Sequence, residues 1–321
     1  MSRSPISVVY IVVLAASFFT ALGCATELRI NEIQFVGSHN SFKQAMSPEH
    51  MRALRAQNPA AARALDYAHL PLSIQLDLGM RKLEIDVFFS PQSRSLVVGH
   101  VQTIDMNSNC DALAECFRQV RSWSNAHPRH VPIWISFNAK DQRIEGLPDP
   151  APFTEDAFAL FDEVIEAELG SRLIRPNDIV NLVWPKLNDA RGKILLILDE
   201  QGNKRDLYWK NWRARPMFTN APPEHPAAAI MILNDPIEQQ EEIKKFVRAG
   251  YMVRTRADAD TREAREGSTV RREAAFESGA QAVSTDYYVE DERFGSGYVV
   301  GIAGYVRCNP VTTQVVCSVA E

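Results

Sequence analysis

The chain has 321 residues, enough for one large domain or two ordinary ones, and 45% of them are hydrophobic, so a sizeable core can form and wholesale disorder is excluded. Its 35 Lys and Arg stand against 40 Asp and Glu, a formal net charge of −5, which is the wrong sign for a nucleic-acid binder with a basic working face. Its 15 Gly and 18 Pro show no collagen or linker bias, and no internal repeat is visible.

The first element is a targeting segment. Arg3 precedes an apolar run from Ile6 to Gly23, and Ala21 and Gly23 supply small residues at the −3 and −1 positions of a cleavage site before Cys24. Residues 1–23 therefore read as a signal peptide and 24–321 as one mature domain in a secreted or periplasmic compartment. A site after Ala25 and an uncleaved anchor helix are the alternatives. Cys24 is also a candidate lipid attachment site, although a lipobox usually has Leu where Ala21 stands. Export makes the remaining cysteines readable as a disulfide framework. Of the three pairings of Cys110, Cys116, Cys308 and Cys317, the local one joins Cys110 to Cys116 and Cys308 to Cys317, pinning a helix start and the C-terminal tail.

Short β-rich apolar runs predict strands at 33–38, 82–88, 95–99, 131–137, 193–198, 229–233, 251–254 and 281–284. Amphipathic stretches predict helices at 47–66, 111–125, 154–168 with Thr154 as N-cap, 236–249 before Gly250, and 261–278 before Gly279. Eight strands alternating with helices predict an α/β fold, a (β/α)8 barrel. The connection between the second and third strands is irregular, because the turn at Ser90-Pro91-Gln92-Ser93 has no room for a helix. A doubly wound open sheet is the alternative, but no Gly-rich phosphate loop follows the first strand.

In such a barrel the site is built at the carboxyl ends of the strands. The first strand ends in His39 and Asn40. The second carries Glu84 and Asp86, whose i, i+2 spacing points both carboxylates to one face. His100 follows the third, and Asn138, Lys140 and Asp141 follow the fourth. Two carboxylates on one buried face require a cation, and the all-oxygen set Asn40, Glu84, Asp86 and Asn138 suits Ca2+. That leaves His39 and His100 free as an acid–base pair. The bland readings are capping histidines and a solvated Glu84/Asp86 face, with Leu83, Ile85 and Val87 turned inward. His50, His69, His127, His130 and His225 read as surface or structural.

The strings Gly37-Ser38-His39-Asn40-Ser41-Phe42, Leu83-Glu84-Ile85-Asp86 and Val97-Val98-Gly99-His100 resemble the catalytic half-barrel of phosphoinositide-specific phospholipase C, in its secreted, calcium-dependent branch. Val253 to Asp258 and Ala282 to Tyr288 resemble that branch's closing strands, so the resemblance runs from about Asn31 to Tyr288. It implies a PLC-like (β/α)8 barrel with His39 as general base, His100 as general acid and Ca2+ on Asn40, Glu84 and Asp86. The implied reaction is attack of the inositol 2-hydroxyl on its own phosphodiester, releasing diacylglycerol and a cyclic inositol phosphate.

Many relatives supply a glutamate where Asn138 stands, so weaker calcium binding or a shifted ligand, with Asp141 as substitute, is expected. Lys140, Arg254 and Arg256 are candidates for the phosphate, the two arginines against the alternative of rim pairs with Asp258 or Asp260. The expected partner is a phosphoinositide lipid at a membrane surface, met by a monomer through apolar residues such as Phe88, Phe89 or Trp209. Two other functions stay open, a glycerophosphodiester or sphingomyelin-type phosphodiesterase on the same barrel, and an exported headgroup-binding protein without turnover. The first usually has Arg after the first His and Asp after the second, where this chain has Asn40 and Val101.

Overall fold

The computed structural model describes residues 27–313 and 319. The signal segment, Cys24 and Cys317 lie outside the described residues, and with them the Cys308–Cys317 pairing. Eleven strands are described: β1 (Ile33–Ser38), β2 (Lys82–Ser90), β3 (Ser95–Val98), β4 (Ile133–Ala139), β5 (Leu173–Ile174), β6 (Ile194–Leu198), β7 (Phe218–Thr219), β8 (Ile230–Ile232), β9 (Met252–Arg256), β10 (Ala282–Thr285) and β11 (Val306–Cys308). Parallel pairing runs β7-β6-β4-β2-β1-β10-β9-β8, and an isolated parallel bridge from Asn220 to Ile230 joins the two ends. The curled α/β sheet thus closes as a barrel of eight parallel strands.

The membership of that ring differs from the predicted one. β3 runs antiparallel to β2, in register from Val87 opposite Val98 to Ser90 opposite Ser95, and stands outside the ring. Parallel neighbours need a crossover of a dozen residues or so, and four turn residues allow only a hairpin. The missing member is β7, whose two residues are too few to show a period. Helices α1 (Pro48–Gln57) and α2 (Pro59–Ala64) divide the predicted 47–66 helix at Asn58, whose side chain caps α2 ahead of a proline. α8 (Arg262–Glu266) and α9 (Val270–Glu277) divide the 261–278 helix at Gly267, which takes φ +65°. α4 (Leu113–Ala126), α5 (Glu155–Leu169) capped by Thr154, and α7 (Gln240–Arg248) fall where expected; α3 (Leu72–Asp77) and α6 (Gly202–Trp209) were not predicted.

Core packing decides which face of β2 turns inward. Leu83, Ile85 and Val87 join Ile133, Ile135 and Phe137 of β4 in one buried cluster with Phe117 of α4 and Phe158 and Phe161 of α5. The next residues on the same strands therefore point into the barrel, whose floor is a second cluster including Phe35, Trp134, Leu195, Ile197 and Met252. Lys82, Glu84 and Asp86 are on that inner face, all buried. β1 meets β2 at Gly37, where an added Cβ would lie 2.1 Å from the Lys82 carbonyl oxygen. The Cys110–Cys116 disulfide forms as expected just before α4.

Candidate active site

The inner face of β2 delivers its polar residues in a ladder at the carboxyl end of the barrel. Asp86 lies opposite Asn138 of β4, and the Asn138 amide donates to Asp86 Oδ1 at 2.8 Å and to Glu84 Oε1 at 3.4 Å. Glu84 Oε2 accepts from Lys82 Nζ and, at 2.8 Å, from Arg254 Nη2 of β9. Burial would push the Glu84 carboxyl up, but Lys82 and Arg254 reverse this and hold it well below the usual carboxylate range. Burial brings the Lys82 ammonium down to about 8 despite its partner. Lys140 Nζ lies 3.1 Å from Asp86 Oδ2, with its side chain 29% exposed.

His39 follows β1, with its backbone N–H bound to Thr285 O of β10. Its Nδ1 lies 2.9 Å from Asp286 Oδ1, and its Nε2 lies 3.6 Å from Glu84 Oε1. Because Asp286 accepts the Nδ1 proton, Nε2 is left with its lone pair. Burial and then the Arg256 guanidinium lower the His39 pKa, so its neutral form prevails at neutral pH, although Asp286 and Glu84 pull the other way. Asn40 sits beside it with φ +46°, a conformation that asparagine tolerates better than most residues. Its amide donates to Tyr67 Oη at 2.7 Å.

His100 repeats the arrangement from the hairpin. The Gly99 N–H binds Asp86 O at 3.3 Å, which brings the end of β3 back over the mouth. His100 Nδ1 lies 2.9 Å from Oδ2 of buried Asp105, whose Oδ1 lies 3.4 Å from buried Lys43 Nζ. Lys43 in turn donates to Tyr67 O, and the Tyr67 ring stacks on His39. One chain of contacts therefore links both imidazoles.

Arg254 and Arg256 share the inner face of β9, but their acidic partners are Glu84 and Asp286 rather than the rim acids Asp258 and Asp260; Arg256 Nε binds only the Asp258 backbone oxygen. Asp141 is held by Lys204 and the Phe153 N–H, away from the ladder. His69, read as surface or structural, is buried beside the site, with Nε2 bonded to His39 O at 2.7 Å. Phe88 is buried, Phe89 packs against Phe153, and Trp209 stacks on His225, so none of the three forms a free apolar rim. The sequence reading also missed Asp286, Asp105, Lys82 and Asp199. Asp199, just after β6, is raised to about 6 by burial, against the pull of Arg254 and Lys82.

This arrangement bears on the expected calcium shell. All four oxygens of Glu84 and Asp86 already face internal donors. Glu84, Asp86 and Asp199 also stand against Lys82, Lys140 and Arg254, three charges against three. Turning the Asn138 amide would offer one neutral oxygen and leave that balance unchanged. A charge-neutral set gives a dication no return for losing its water, so Asn40, Glu84, Asp86 and Asn138 do not fit Ca2+ in this arrangement.

Comparison with protein families matches residues 28–95 and 90–310 to the family described as phosphoinositide phospholipase C, Ca2+-dependent. Among solved structures, the chain is similar to a calcium-dependent phosphoinositol-specific phospholipase C from Pseudomonas sp. (TM-score 0.59, 16% identity, 88% of this chain and 96% of that one). It is similar also to a Ca2+-dependent phosphatidylinositol-specific phospholipase C from Streptomyces antibioticus (0.54, 18%, 81% and 95%). A third is the phosphatidylinositol-specific phospholipase C from Listeria monocytogenes (0.53, 13%, 84% and 93%). At these identities the structures speak to the fold. No curated protein matches the chain.

Proposed function

The chain belongs to the Ca2+-dependent phosphoinositide phospholipase C family, a family of phosphoric diester hydrolases, and from that membership we propose that it cleaves phosphatidylinositol-type lipids with His39 and His100 as its acid–base pair. Residues 1–23 direct export in this reading, and 24–321 form one catalytic domain. The observation that carries the proposal is the pair of matched dyads: each imidazole places Nδ1 2.9 Å from a carboxylate oxygen and keeps Nε2 for the substrate.

The reaction starts with the inositol 2-hydroxyl against His39 Nε2. As the proton moves to His39, the hydroxyl oxygen attacks phosphorus, and the bond to the glycerol oxygen breaks. His100 enters this step as the imidazolium, its Nδ1–H on Asp105, and gives its Nε2 proton to that oxygen, releasing diacylglycerol and leaving a cyclic inositol phosphate. The imidazolium formed at His39 is held between Asp286 on one nitrogen and Glu84 Oε1 on the other. Lys140, partly exposed beside Asp86, reaches for the non-bridging phosphate oxygens, and Arg256 Nη2, 3.4 Å from both Asp286 Oδ2 and His39 Nδ1, holds the Asp286 carboxylate in place. Arg254 acts through Glu84 and does not contact phosphate. In this reading Lys140, rather than Ca2+, meets the charge on the phosphate.

A headgroup-release assay on vesicles of phosphatidylinositol or phosphatidylcholine, and on glycerophosphodiesters, tests this reading. Release from phosphatidylinositol alone is expected, falling by at least about 10²-fold in His39→Ala and in His100→Ala. Turnover of the other two with phosphatidylinositol untouched would refute it.

A further inference from the structure

Glu84 and Asp86 are the acids to which the sequence assigns a divalent cation, and in this chain protein cations are bound to them. We propose that the chain cleaves its phosphodiester without a divalent metal, with Lys82 and Arg254 standing permanently on Glu84 and with Lys140, tethered by Asp86, carrying the positive charge to the phosphate. The inference rests on the phosphodiesterase reading above and concerns how that site neutralises charge.

Lys82 is the least displaceable of the three. It lies two residues before Glu84 on the same face of β2, is fully buried, and its three N–H donors have three acceptors: Glu84 Oε2, Ser38 O at 3.0 Å and Ser284 Oγ at 3.0 Å. Swinging aside for an incoming ion would strip this buried ammonium of all three acceptors. Arg254 is buried too; its Nη1 is held by Asn234, and its Nη2 is bound to Glu84 and, at 3.4 Å, to Ser284 Oγ. A dication placed on Glu84 would have to strip the carboxylate from two buried cations and leave both without a counter-charge.

Lys140 is different in kind. It closes the ladder from β4, its side chain is partly exposed, and Asp86 is its ion-pair partner at 3.1 Å. A lysine so placed can shift from Asp86 to a phosphate oxygen without crossing an apolar layer. Asn138 belongs to the same design: a third carboxylate at that position would leave unbalanced negative charge, whereas its amide donates to both Glu84 and Asp86.

The test has two independent arms, both on the full mature chain. In the first, cleavage of phosphatidylinositol vesicles is measured in excess chelator and with added Ca2+. Rates within about tenfold of each other are expected, and a larger loss in chelator overturns the proposal, because a metal that offsets phosphate charge is worth several kcal/mol, or factors of about 10² and more. In the second, Ca2+ is titrated into the lipid-free protein by calorimetry. No saturable binding below about 1 mM, the weak end for extracellular calcium modules, is expected, and tighter saturable binding overturns the proposal. If no lipid is cleaved in either condition, the phosphodiesterase reading fails and calorimetry still decides the metal question. Lys140→Met should lose about 10- to 10²-fold in kcat at every calcium level; unchanged turnover, or rescue by Ca2+, overturns the role of Lys140.

Discussion

His39 and His100 owe their assigned roles to what lies behind them. Asp286 and Asp105 each accept a hydrogen bond from an Nδ1–H, so the two rings present the same nitrogen although they come from different elements. Around His39, burial and Arg256 lower the pKa while Asp286 raises it, and this sets a signed expectation. A general base works when deprotonated, so the acid limb of the kcat/KM profile should lie below the ordinary histidine value of about 6.5. Arg256→Met should move that limb up, and Asp286→Asn should move it down while also lowering the rate. A wild-type limb at or above the ordinary value, or both variants shifting the same way, would contradict the assignment. His39, Glu84, Asp86, His100 and Asn138 were legible because each lies on or just past an apolar strand. Their partners were not: Asp286 is 247 positions from His39, and Asp105 is a loop residue with no periodic signal. Lys82 follows from the same i, i+2 rule that aligns Glu84 with Asp86, but a lysine opening a strand reads as ordinary solvated charge.

At the scale of elements, the site depends on how closely β1 and β2 approach. Gly37 opposes Lys82, and a Cβ there would lie 2.1 Å from the Lys82 carbonyl oxygen and 2.2 Å from its Cβ, neither of which a rotamer change can move. Gly37→Ala should therefore separate the strands just below His39 and Glu84. A loss of about 2–3 kcal/mol in urea unfolding is expected, with a matching fall in activity. An unchanged denaturation midpoint would show that the strands are not in this register. The hairpin of β2 and β3 is the second such device. It folds back so that Gly99 bonds Asp86 O, and the Cys110–Cys116 disulfide ties down the chain that follows. The short turn was visible in the sequence, but its consequence, an antiparallel strand outside the barrel, follows only from the geometry of strand pairing.

Across the whole molecule, the barrel was readable because seven of its eight ring strands, all but β7, lie in short apolar runs, and helices separate most of them. β7 escaped because Phe218 and Thr219 alone, with one bridge at Asn220, complete the ring, and tertiary closure leaves almost no local trace. Among the described residues no helix is long and apolar enough to cross a membrane. The identity of the water-soluble product tests the central claim most directly. Phosphorus NMR of phosphatidylinositol vesicles treated with the mature protein should show the lipid phosphodiester replaced by a five-membered cyclic inositol phosphate, with diacylglycerol left in the vesicle. A glycerophosphoinositol product, or an unchanged lipid signal, would contradict attack by the neighbouring hydroxyl between two histidines.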